Sequence, residues 1–137
     1  MDTTPHGTTQ WFEMVGKVLV DAAMQAGLPP ACNIRLVERY IDGIELSPGL
    51  VQGLRLDIIN GKPAFQLGAG RDERGDITVE VTKAASHTLN TLRSDDPRFH
   101  AAFINLQSAG ELKIDGDLSQ LGNWFSAVHD RIVDRTN

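Results

Sequence analysis

The chain has 137 residues, 41% hydrophobic and 23% charged, with a formal net charge of −5, which is globular composition and not that of a disordered chain. A chain of this length holds a core without staples, and Cys32 is its only cysteine, so no internal disulfide or cysteine metal site forms. The acidic balance and the lack of a Lys/Arg cluster argue against nucleic acid, which is held by neutralising phosphates, and against electrostatic docking on anionic membranes.

Residues 1–9 read as a flexible polar N-terminus and 10–137 as a single domain. The lead-in has neither the basic start nor the apolar core of a signal peptide. No apolar run nears the ~20 residues that span a bilayer. The expectation is a cytoplasmic protein with at most transient membrane contact, monomeric or homodimeric.

A helix starts near Phe12, with Val15, Leu19, Ala22 and Ala26 on its apolar stripe. Gly27 ends it, and Pro29-Pro30 prevents continuation. Ile34 to Ile41 is strand-like but carries Arg35, Glu38 and Arg39 among Leu36, Val37 and Tyr40, the mixed pattern of an edge strand. Asn60-Gly61 is the pair a type I′ hairpin turn requires, and it sets Leu56 opposite Phe65 and Leu54 opposite Leu67. Ile77, Val79 and Val81 alternate with Thr78 and Glu80 as a third strand of an antiparallel meander.

Thr82 caps a helix with Ala85, Leu89 and Leu92 inward. Asp96 caps a second, with Pro97 at its first position and Phe99, Phe103 and Leu106 along it. Leu112 and Ile114 alternate as a last strand that ends at Gly116. Asp117 and Gln120 form a capping box for a helix from Leu118 to about Asp134, striped by Leu121, Trp124, Phe125, Val128 and Ile132. The sum is an α+β fold, a largely antiparallel five-stranded sheet with helices packed on one face.

The run Asp76-Ile-Thr-Val-Glu-Val-Thr82, the short helix after it, Asp96-Pro97 to Ala102-Phe103, and Gly110-Glu-Leu-Lys-Ile-Asp-Gly116 resemble the sterol carrier protein 2 family, the sterol-binding or lipid-transfer domain, as a single-domain member of bacterial type. The resemblance covers the C-terminal half through these motifs and the N-terminal half through element order. It implies an apolar tunnel between sheet and C-terminal helices that holds a fatty acyl chain, a sterol or a similar lipid, without catalysis, metal or cofactor. Two departures stand out. The segment from Pro97 to Gly110 is longer than in short members by about one helical turn, and the chain ends Asp-Arg-Thr-Asn where peroxisomal members carry a targeting tripeptide.

The residues expected to line such a tunnel are Leu54, Leu56, Phe65, Leu89, Phe99, Phe103, Leu121, Trp124, Phe125 and Val128. Interiors are normally close-packed, so without the resemblance the same residues read as a filled core. The four histidines lack metal-ligand spacing, and His87, His100 and His129 fall off the apolar stripes, which predicts solvent-facing or supporting roles. Arg35 and Arg39 are candidates to meet a carboxylate head group, against the plainer reading of solvation or pairing with Glu38 and Asp42. Gly68-Ala-Gly70 reads as a turn and not a dinucleotide loop, since Glu73 stands where that loop needs its third glycine. Two alternatives to a carrier are a small α+β enzyme, isomerase- or hydrolase-like, using His100, His129 and Asp130, and a dimeric interaction module.

Overall fold

The Thr8 hydroxyl accepts a hydrogen bond from the Trp11 amide and so opens the first helix, α1, Thr9–Ala26, in the computed structural model, which describes residues 2–137. Gly27 closes it in the left-handed conformation, at φ 65°. Five strands follow, β1 (Ile34–Tyr40), β2 (Glu45–Ser47), β3 (Leu50–Ile59), β4 (Lys62–Gly70) and β5 (Ile77–Val81). After them come α2 (Lys83–Leu89), α3 (Pro97–Ser108), β6 (Leu112–Asp115), a 3₁₀ turn at Leu118–Leu121 and α4 (Asn123–Asp134).

The hairpin forms as its sequence dictates. Asn60 and Gly61 take φ of 53° and 78°, Leu56 lies opposite Phe65, and Leu54 opposite Leu67. The rest of the sheet departs from a meander. Its order is β4-β3-β1-β5-β6, with β2 against the start of β3, which makes six strands rather than five. β1, expected at an edge, lies in the centre, antiparallel to β3 and parallel to β5.

Charge on β1 reflects two different faces and not an open edge. Arg39 passes to the far side of the sheet, where it donates to the Gly70 and Glu73 carbonyls and pairs with Glu80. The same residues explain why β5 does not join β4. The 71–76 segment crosses that face, held by Arg39 and by an Arg55–Glu73 ion pair, and delivers β5 beside β1.

All four helices gather on the other face, and the fold is α+β with a mostly antiparallel sheet. Alternation on β1, β3 and β5 turns Leu36, Leu54, Leu56, Ile58, Ile77 and Val79 towards them. Trp11, Phe12, Val15 and Leu19 of α1, Leu89 of α2, and Val128 and Ile132 of α4 complete one core. α3 is different. It is capped by Asp96 as its sequence requires, yet it contributes no fully buried residue.

The helix read from Leu118 to Asp134 is interrupted. Asp117 accepts from the Ser119 amide at 2.9 Å, but the turn it caps is 3₁₀, and Gln120 meets Asp117 through backbone, its amide donating to the Asp117 carbonyl. Gly122, at φ 113° and ψ 173°, breaks the path before α4. That conformation is open essentially to glycine alone. The N-terminal segment is tied to the C-terminal one: Thr4 donates to the Arg135 carbonyl and accepts from the Asn137 amide.

Candidate functional site

A cavity of about 190 Å³ lies between the sheet and the four helices. Val79, Val81, Leu112 and Ile114 form its floor, Phe12 and Leu89 stand at its sides, and Phe99, Phe103, Phe125 and Val128 cover it. A second space of about 500 Å³ runs between α3 and the Leu118–Ser126 stretch. The two share Phe99, Phe103, Leu118, Phe125 and His129 as walls, so the cavity adjoins a groove with Ser94, Ser119, Asn123 and Ser126 at its rim.

The local sequence explains this opening. α3 is amphipathic, but Phe99 and Phe103 are only half-buried, since the surface beneath them is cavity and not packed protein. Across the groove, Gly122 ends the 3₁₀ turn and the Trp124 Nε1–H donates to the Leu121 carbonyl at 2.7 Å. This bond turns Trp124 away, while Phe125 faces the cavity.

Of the residues expected to line a tunnel, Leu89, Phe99, Phe103, Phe125 and Val128 border the cavity. Leu54 and Leu56 are packed in the sheet core. Phe65 lies against Gly16 of α1, and Leu121 is buried at the end of the 3₁₀ turn.

One cavity residue escaped the sequence reading. Glu38 projects from β1 between Leu36 and Tyr40, on the helix-facing side. Its side chain is half-buried and lines the cavity. Among the described residues nothing donates to its carboxyl or pairs with it, and burial pushes its pKa up to about 7. The signal was present in the alternation Leu36-Glu38-Tyr40, which places a carboxyl on an otherwise apolar face.

At one end of the cavity, Tyr40 OH hydrogen-bonds with Ser86 Oγ at 3.2 Å and with His6 Nε2 at 3.1 Å. Burial raises the Tyr40 pKa to about 12. His6 is lowered to about 4, first by burial and then by His87. At the mouth, the His129 Nε2–H donates to the Leu92 carbonyl at 2.7 Å, and its ring lies 4.5 Å from that of Phe99.

No catalytic triad assembles from His100, His129 and Asp130. His100 is exposed, and Asp130 accepts from both the amide and the hydroxyl of Ser94, at 2.7 Å each, which lowers its pKa. Arg35 and Arg39 do not reach the cavity with their guanidinium groups. Arg35 pairs with Asp57 at 2.6 Å and Arg39 with Glu80 at 3.3 Å, neither with Glu38 or Asp42. Among the described residues no three His, Cys, Asp or Glu side chains gather where one metal ion would sit, and no helix is long and apolar enough to cross a membrane.

No family model and no curated protein matches the sequence. Solved structures do match. A conserved hypothetical protein of Thermus thermophilus, described as possibly a sterol carrier protein, superposes with a TM-score of 0.50 at 12% identity, over 96% of this chain and 92% of that one. Sterol carrier protein 2 of Yarrowia lipolytica, in its apo form, gives 0.39 at 13% identity over 92% and 83%. A stereoselective inverting sec-alkylsulfatase of Pseudomonas sp. gives 0.46 at 22% identity, with 84% of this chain spanning only 15% of the sulfatase. The α+β fold of this chain is the sterol carrier protein 2-like fold.

Proposed function

We propose that the protein binds and carries a hydrophobic ligand, a fatty acyl chain, a sterol or a similar lipid, between its sheet and its C-terminal helices, without catalysing a reaction on it. The observation that supports this most is the adjacency of the cavity and the α3 groove, which meet at Phe99, Phe103 and Phe125, side chains whose movement would join them. A space of about 190 Å³ alone is little more than one that admits benzene, and below the roughly 300–1,000 Å³ of most ligand sites. The groove adds the length an acyl chain needs. Each buried CH₂ contributes ~0.8 kcal/mol, so a chain of ~14 carbons offers ~11 kcal/mol before ordering costs. Phe99 and Phe103 on loosely seated α3, with Phe125 opposite, are the movable wall, and Leu89 and Val128 line the interior.

The test is a titration with a hydrophobic fluorophore, followed by displacement with dodecanol, on the wild type and on Leu89→Trp. The larger ring occupies the cavity, at an overpacking cost of about 1–3 kcal/mol. Saturable binding that Leu89→Trp abolishes while its circular dichroism stays native is the expected result. Equal binding by the filled variant would place the ligand elsewhere.

A further inference from the structure

Glu38 is a carboxyl without a counter-ion in a cavity of hydrocarbon. It lies opposite Leu54 on β3 and Val79 on β5, so both neighbouring strands offer it only aliphatic side chains. α1 brings Phe12, Val15 and Leu19, and α3 brings Phe99 and Phe103. The titratable groups on the cavity side are few. They are Tyr40 on its own strand, His6 beyond Tyr40 and Ser86, and His129 on α4, whose Nε2–H is committed to Leu92. No Lys or Arg side chain from α1, α2, α3 or α4 lines this space, and the Arg39 guanidinium is on the far side of the sheet.

We propose that the ligand of this cavity is an amphiphilic amine, its alkyl chain in the apolar space and its ammonium group held by the Glu38 carboxylate. The inference rests on the carrier reading above. An ammonium group supplies what the site lacks, a positive charge with three N–H donors. A second acceptor stands on the cavity wall: the Asn90 side-chain N–H₂ donates to Ser86 backbone and hydroxyl oxygens at 2.8 and 3.3 Å, which leaves the Asn90 Oδ1 without a donor among the described residues. A fatty acid would bring a second carboxyl beside Glu38, where two like charges cannot both ionise without a cation. An alcohol gives one hydrogen bond and leaves the charge uncompensated.

The proton balance follows. The amine enters as the ammonium ion and needs Glu38 ionised. With an empty-site value of about 7, binding at pH 6 must release the Glu38 proton, whereas at pH 8 the carboxylate is already formed. Amine affinity therefore rises about tenfold from pH 6 to pH 8. Alcohol affinity changes little, and fatty-acid affinity falls.

Dodecylamine, dodecanol and dodecanoate, each below its micelle concentration, are titrated against the full chain and against Glu38→Gln and Glu38→Leu at both pH values. The expected result is dodecylamine tighter than dodecanoate and dodecanol by about tenfold or more at pH 8, with an amine preference and a pH trend that both variants lose while their circular dichroism stays native. Dodecanoate equal to or tighter than the amine in the wild type, or an amine preference that survives both substitutions, overturns the proposal and leaves the carrier reading standing. Failure of all three ligands to bind overturns the proposal, and failure of sterols and of the hydrophobic fluorophore as well overturns the carrier reading.

Discussion

Burial displaces the titration of Glu38 and His6 in opposite senses, so the two residues oppose each other in the pH dependence of folding. The Glu38 value rises from 4.5 to about 7. The folded state then holds a proton that the unfolded state has released, and stability falls as pH rises across that window, by about 3 kcal/mol in full. His6 falls from 6.5 to about 4, so the unfolded state takes up a proton that the folded state refuses, and stability is lost as pH falls through that range. Urea unfolding of the wild type is accordingly expected to show weak pH dependence between pH 4.5 and 6.5 from this pair. Glu38→Gln is predicted to leave a profile that rises with pH over 4 to 6.5, and to be more stable than the wild type at pH 8; equal midpoints at pH 8 would contradict an unpaired carboxylate held in this apolar cavity. Glu38 was legible as an inward position from Leu36 and Tyr40 on either side. Arg35 and Arg39 obscured it, since arginines two faces of a strand apart look, in one dimension, like partners for the acid between them.

Elements whose rules are local were legible. The Asn60-Gly61 turn fixed the β3–β4 register, and Thr82 and Asp96 cap α2 and α3 as read. Placement of β1 and β5 depended on a crossing held by side chain to backbone bonds from Arg39, and no periodicity encodes that. The break before α4 was missed for a different reason, because Leu118, Leu121, Phe125, Val128 and Ile132 keep a helical spacing across it. Gly122→Ala tests the break. It is predicted to lower stability by about 1–3 kcal/mol, since its Cβ would meet Trp124 Cδ1 at 3.2 Å in a conformation that favours glycine; an unchanged urea midpoint would argue for a continuous helix. Gly16→Ala sets two effects against each other. Alanine favours a helix interior by about 1 kcal/mol, but its Cβ would sit 2.3 Å from the Phe65 ring where α1 crosses β4. The overlap is predicted to dominate, with net destabilisation by thermal melting. α3 has no fully buried residue, so its amides are expected to exchange faster than those of α1 and to slow when ligand is bound; protection equal to that of α1 without ligand would leave no movable wall.

At the scale of the molecule the two faces of the sheet do different work. The far face carries the 71–76 segment and ion pairs, and the near face carries helices that leave about 190 Å³ unfilled. The sequence marked the supply of aromatic and aliphatic residues for that space, but not which of them would pack. Leu54, Leu56, Phe65 and Leu121 pack into the fold, and Trp124 turns to a backbone carbonyl, because a gap is set by the distance between elements and not by the composition of any one. Native mass spectrometry of the folded protein, incubated with dodecanol, long-chain fatty acids, amines and sterols, is the decisive measurement for a carrier. A single bound amphiphile in the wild type and none in Leu89→Trp is the expected result, whereas a folded wild type that retains no ligand from the whole set would contradict the carrier reading.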